Sequence, residues 1–287
     1  MVSPEMMMHR DAIIYVAGHA GLIGSAVVRR LERDGYRTLI TRRRSELDLQ
    51  DGRQVSEFFE AIHPEYVILA AGRVGGIIEN QMFPADFMDE NVAIQLNVLK
   101  AARKVGVRRL ILFGSSCMYP RDCPQPMAED VLLLGKPEPT SLPYAISKLV
   151  GTHLCLAYNK QDRDTRFIPV IPNSAYGPHD NFDPKSAHVL SALMARFHEA
   201  KLTCAESVVL WGSGSPRREF IHADDIADAC MQLLRQDELA VEFPINIGVG
   251  QDISIRELAE LIAGVVGYRG ELKWDLTKPD GAPRKLL

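Results

Sequence analysis

The chain has 287 residues, of which 46% are apolar and 24% charged, with a formal net charge of −4. Such a length accommodates one large domain or two unequal ones around a sizeable core, and the composition is that of an ordinary globular protein. The acidic balance excludes a general binder of nucleic acid or anionic membrane, since neither attracts a negative surface, but leaves room for a local basic pocket.

A loose leader precedes "AIIYVAG" (12–18), an apolar run too short for a signal-peptide core or a bilayer span and read as a first strand. The periodicity then predicts a helix over 24–35, a strand over 37–41, a helix over 51–62 and a strand over 66–72. A long helix over 86–105 leads to a strand over 108–114, and a helix over 144–160 to a strand over 165–171. Continuous apolar strands separated by helices imply an α/β protein with a doubly wound parallel sheet. After Pro172 the rhythm changes, with a helix near 186–200 and a strand over 207–212. Helix 223–235, strand 244–248, helix 253–266 and strand 270–275 follow. The division is therefore 1–172 for the sheet domain and 173–287 for a smaller C-terminal lobe, with helix 223–235 free to pack back on the sheet.

Five scattered cysteines (Cys117, Cys123, Cys155, Cys204, Cys230) form no CxxC pair, which reads as reduced thiols in the cytoplasm. No His/Cys/Asp cluster has metal-ligand spacing, so no metal is expected.

"GHAGLIG" places Gly18, Gly21 and Gly24 at the first strand-to-helix junction. Glycines there let the turn close tightly and let the backbone approach a pyrophosphate at the helix N-terminus, next to Leu22 and Ile23. The second strand is followed by "TRRRSELD", which has Arg42, Arg43 and Arg44 but no acid before Glu46. Basic residues there meet a ribose 2′-phosphate, so NADP is favoured over NAD. A solvated basic edge explains two of the three arginines equally well. Asp48 is a candidate for the adenine amino group or for a surface cap. Ala70 and Ala71, at the end of the third strand, complete the candidate cofactor contacts.

In "PYAISK", Tyr144 and Lys148 are four residues apart and share a helix face. A carbonyl reductase must protonate an oxygen as hydride reaches the carbon, and an ammonium beside a tyrosine favours its phenolate. Ser115, just after the fourth strand, is placed to hold the same oxygen.

With these motifs the chain resembles the extended short-chain dehydrogenase/reductase family. "AAGRVGGIIEN", "FGSSCMYP", "NSAYGPHDNFDP", "SAHVL", "VVLWGSGSPRREFIH" and "KPDGAPRKLL" extend the likeness over nearly the whole chain. The resemblance implies a Rossmann-type domain carrying NADPH, a C-terminal lobe binding a GDP-sugar, and a Ser115, Tyr144 and Lys148 triad. It further implies conversion of GDP-4-keto-6-deoxy-D-mannose to GDP-L-fucose, in which Cys117 and His188 exchange protons at C3 and C5 through enolates. Reduction at C4 follows. A thiol suits the task because its ordinary pKa is close enough to neutrality to exchange a proton with carbon.

By the same likeness Arg196, Arg218 and Lys285 hold the diphosphate, and Asn173, Val189, Leu193 and Trp211 line the sugar and base pocket. The other four cysteines read as small buried hydrophobes, and His179 and His222 as loop or packing residues, with His179 a candidate for the pocket wall. Helices 86–105 and 144–160 resemble a pair that forms a four-helix interface, so a homodimer is implied. Two departures stand out. Ala20 replaces a basic residue of the glycine turn, and related enzymes continue for one or two elements beyond Leu287, so the lobe reads as shortened. The alternatives are a 4-keto sugar reductase with one or no epimerisation, and a dinucleotide-binding protein without turnover.

Overall fold

The computed structural model describes residues 8–162, 166–183, 186–236, 241–278 and 280–287. The first seven residues of the expected leader, and Thr165 at the head of an expected strand, lie outside them. The first half runs β1 (Ile13–Ala17), α1 (Leu22–Arg33), β2 (Thr38–Ile40), α2 (Gly52–Ile62), β3 (Tyr66–Leu69), α3 (Ile77–Met82) and α4 (Pro84–Lys104). Next come β4 (Arg109–Phe113), α5 (Leu142–Gln161), β5 (Phe167–Pro172), β6 (Ser174–Tyr176), α6 (Val189–Leu202), β7 (Ser207–Trp211) and β8 (Arg217–Arg218). The chain closes with β9 (Phe220–His222), α7 (Ala223–Arg235), β10 (Ile245–Ile247), β11 (Ile253–Ser254), α8 (Ile255–Val266), β12 (Glu271–Asp275) and β13 (Arg284–Lys285).

Six strands form a wholly parallel sheet in the order β10-β5-β4-β3-β1-β2. Every residue of β3 and β4 is buried, as parallel strands covered by helices on both faces require. One face carries α1 and α7, meeting through Val27, Leu31, Ile226 and Met231. The other carries α2, α4 and α5, with Phe59, Leu99 and Cys155 in the core. The strand order reverses between β1 and β3, which opens a crevice at their carboxyl ends.

Both α7 and β10 come from residues beyond Pro172, yet they complete the large sheet layer. The apolar stripe Ile226, Ala227, Cys230, Met231 and Leu234 recurs at helical spacing and buries against α1. The remaining C-terminal elements build a separate core, in which α6 and α8 cover the parallel pair β7-β12 through Phe197, Leu210 and Ile262. A reciprocal Ser254–Glu257 capping box starts α8, and Gly267 at φ 79° ends it. The short strands β6, β8, β9, β11 and β13 have two or three residues each, too few to show a period in the sequence.

Candidate active site

The glycine turn is built by contact, and two of its three glycines are sterically required. Gly18 has φ +84°, and a Cβ there would sit 2.6 Å from the Ala71 nitrogen. A Cβ on Gly24 would collide with the Gly18 carbonyl oxygen. The turn therefore delivers its backbone to the N-terminus of α1, where Gly21 is the cap residue and no side chain satisfies the first amides. Leu22, Ile23 and Ala70, each partly buried, pack against the sheet core.

Beside the turn lies a cavity of about 450 Å³, of the size that takes a ligand. Gly18, Gly21, Arg42, Arg43, Arg44, Asp48 and Ala71 line it, together with Arg73 and Glu90. Arg42 is half-buried and donates to the Thr41 carbonyl at 2.7 Å, while Arg43 and Arg44 are exposed. These residues fit a phosphorylated dinucleotide. Gly18 and Gly24 tolerate no side chain in the turn that a pyrophosphate would approach, and three guanidiniums line the same cavity.

A second group gathers where β4 ends. Ser115 caps the short helical turn Ser116–Met118, its Oγ accepting from the Cys117 amide at 3.2 Å, and its hydroxyl is close enough to the Tyr144 phenol to favour the phenolate. Lys148 lies against the Tyr144 ring, with Nζ 5.8 Å from the ring centre, and donates to the Phe113 carbonyl at 2.9 Å. Burial pushes the Tyr144 phenol up, reinforced by Cys117 and opposed by Ser115. The expected lowering of Tyr144 by Lys148 is not found: burial decides the direction, and the only opposing influence is Ser115. Burial also pulls the Lys148 ammonium down to about 8.

Cys117 Sγ lies 3.3 Å from Lys285 Nζ. Burial opposes its ionisation, but the Lys285 charge and hydrogen bonds from Ser115, Lys285 and Ser141 prevail, holding the thiol below its usual range. Burial likewise holds the His188 imidazole low; Asp180 and Glu79 oppose, and Lys285 adds to the lowering. Lys285 therefore faces both residues. Arg218, its partner in the β8-β13 pair, also faces Cys117, Glu138 and Asp280, and burial lowers its guanidinium.

The rest of the expected sugar and base pocket is more dispersed. Asn173 is buried and spends its amide on Glu219 at 2.7 Å and on the Lys285 carbonyl. Leu193 belongs to the lobe core, with Val189 packed against it. Arg196 donates to the Val209 carbonyl at 3.0 Å, and Trp211 is exposed with Lys278 over its ring. His179 is exposed with φ +66°, while His222 caps α7 by accepting from the Asp224 amide. Cys155 and Cys230 are buried, but Cys204 is exposed at φ +51° and is no core residue. Cys123 is only half-buried.

Four participants escape sequence reasoning. Ser141 lies outside the motifs, Glu219 and Arg73 lie within recognised segments without a role of their own, and Glu90 looks like a surface charge. Glu219 is wholly buried and accepts from Asn173, from the Val249 and Gly250 amides and from the Leu287 amide, which ties β13 to the sheet. Among the described residues no group of three or more His, Cys, Asp or Glu could hold a metal, and no helix is long and apolar enough to cross a membrane.

The model of the NAD dependent epimerase/dehydratase family matches residues 14–248, and the chain belongs to that family. It is similar to the Putative GDP-L-fucose synthase 2 of Arabidopsis thaliana, at 50% identity over all of this chain and 87% of the relative. The GDP-L-fucose synthase of Escherichia coli strain K12 is 49% identical over 96% of this chain and 87% of its own length. Among solved structures, a GDP-L-fucose synthetase from Naegleria fowleri bound to NADP superposes with a TM-score of 0.87 at 28% identity, over 98% of this chain and 86% of that one.

Proposed function

We propose that this protein converts GDP-4-keto-6-deoxy-D-mannose to GDP-L-fucose, epimerising C3 and C5 before an NADPH-dependent reduction at C4. The observation that carries the reading is the position of Ser115, whose hydroxyl accepts from the Cys117 amide and acts on the Tyr144 phenol. A group able to exchange a proton with carbon and a group able to protonate a carbonyl oxygen thereby share one pocket. The names of the Arabidopsis and Escherichia coli relatives, and NADP in the Naegleria structure, support the substrate and the cofactor.

The C4 carbonyl would lie between Ser115 and Tyr144, whose hydroxyls stabilise an enolate oxygen as it forms. The Cys117 thiolate, favoured by Lys285, takes a proton from the carbon beside that carbonyl, and His188 returns one on the opposite face. Reduced nicotinamide supplies the hydride to C4 when bound. Tyr144 is protonated at rest, as burial ensures, and delivers the phenolic proton to the C4 oxygen; Lys148, poised near neutrality, recharges it. The glycine turn would hold the pyrophosphate, Arg42 and Arg44 the 2′-phosphate, and Asp48 the adenine. Arg218 and Arg196 remain the diphosphate contacts, with Trp211 beside the base. Lys285 is reassigned to Cys117.

We further place the protein in the cytoplasm, on its free cysteines, and as a homodimer through α4 and α5. Exposed Ile146 and Val150 share one face of α5, offering an apolar surface for a second copy. Light scattering at micromolar concentration should give twice the monomer mass. The activity is tested with the keto-sugar and NADPH in deuterated water. Deuterium at C3 and C5 with cofactor oxidation is expected, and absence of both refutes the reading. Cys117→Ser should reduce deuterium incorporation far more than reduction; equal losses would make the thiol structural only.

A further inference from the structure

We propose that Glu90 sets how sharply the crevice distinguishes a phosphorylated from an unphosphorylated adenosine ribose. The inference rests on the dinucleotide reading above and concerns a residue to which that reading gives no part. Glu90, on α4, lines the same cavity as Arg42, Arg43, Arg44 and Asp48. Its side chain is only 21% exposed, so its carboxylate is a feature of the cavity wall and not a solvated surface charge.

That carboxylate is fixed in place. One oxygen accepts from Arg73 Nη1 at 2.6 Å. The other accepts from Gln50 Nε2 at 3.3 Å and faces Arg44 Nη1 at 3.8 Å. Arg73 is itself immobilised, lying over the Phe83 and Phe87 rings at 5.3 and 5.0 Å and pairing with Asp86 at 3.2 Å. Glu90 therefore cannot swing away when an anion approaches without breaking a short charge-assisted bond.

A phosphate dianion reaching for Arg44 meets a guanidinium already faced by this carboxylate in the same cavity wall, which weakens the attraction and adds repulsion. A neutral 2′-hydroxyl meets an acceptor there instead. Glu90 thus works against the three arginines, and Ala20, also in the wall, adds no charge to offset it.

The test is a binding titration of NADPH and NADH against the native protein, Glu90→Gln and Asp86→Asn, without sugar substrate and at low and high salt. Glutamine keeps the shape and removes the charge. The ratio of the NADH to the NADPH dissociation constant should rise about three- to tenfold in Glu90→Gln at low salt, less at high salt, as a partly exposed pair allows. Asp86→Asn, which removes a charge from Arg73 outside the cavity wall, should leave the ratio within about twofold. An unchanged or falling ratio in Glu90→Gln, or the same rise in Asp86→Asn, overturns the role of Glu90 while the dinucleotide reading stands. Failure of the native protein to bind either nucleotide overturns both.

Discussion

Replacing Lys148 with methionine separates the cost of burying a charge from its use. Lys148 is 5% exposed, and burial alone lowers its ammonium, from an ordinary 10.5 to about 8. The folded pKa lies below the unfolded one, so the unfolded chain binds the extra proton between them. Stability therefore rises with pH across that interval. The penalty is complete below about pH 8 and is gone above the unfolded value. At about 1.4 kcal/mol per pH unit the interval amounts to about 3 kcal/mol. Methionine removes the penalty but leaves the Phe113 carbonyl without its donor, which costs about 1–3 kcal/mol. The two effects nearly cancel at pH 7, so native and variant should unfold at similar urea concentrations there. From pH 7.5 to pH 10 the native protein should gain on the variant by about 2 kcal/mol or more. A difference that stays flat over this range would show that Lys148 keeps its ordinary pKa, and the account of it as a readily discharged proton donor would fail. Reduction should be lost in the variant at every pH.

Lys285→Met should slow alkylation of Cys117 by iodoacetamide at pH 7 about tenfold or more, since a charged hydrogen bond to the thiolate is lost. Exposed Cys204 in the same digest is the internal reference, and an unchanged ratio of the two peptides would refute the pairing. Gly24→Ala should weaken NADPH binding by more than about tenfold by pushing the new methyl into the Gly18 carbonyl; near-native affinity in a titration would mean that the turn does not approach the pyrophosphate. Glu219→Gln should lower stability to urea by about 2–3 kcal/mol, because an amide nitrogen would face donors where a carboxylate accepts. It should also slow Cys117 alkylation, because β13 carries Lys285; stability loss without that change would detach the two roles of the strand.

What could be read from the sequence is what local spacing determines. The turn at Gly18, Gly21 and Gly24 is legible because the residues that must approach one another are close in the chain and only glycine fits. Tyr144 and Lys148 are legible because one helical turn places them on one face. The alternating apolar runs are enough to establish the parallel sheet, since strands buried on both faces carry no polar alternation to misread. Strands of two or three residues fall below that resolution, and so do the contacts they make. Lys285 reaches Cys117 across 168 positions through β13, a strand too short to show a period, and it is held there by Glu219, whose burial and partners no local spacing reveals.

The Tyr144 phenol shows a different limit. Spacing correctly brings an ammonium to its ring, yet the direction of its pKa is decided by desolvation, a property of everything packed around the pair. The same burial that raises the tyrosine lowers the lysine, so two groups of nearly equal acidity in water are driven apart. The lysine becomes the stronger acid, so proton transfer from its ammonium to a tyrosinate left by catalysis runs downhill. The site achieves that direction by excluding water, where the sequence suggests a charge attracting a phenolate. Cys117 is the counter-example: the Lys285 charge at 3.3 Å, with hydrogen bonds from Ser115, Lys285 and Ser141, overcomes the kind of burial that dominates Tyr144. Which effect wins turns on whether a cation lies within hydrogen-bonding distance of the titrating atom, and only the folded arrangement determines that.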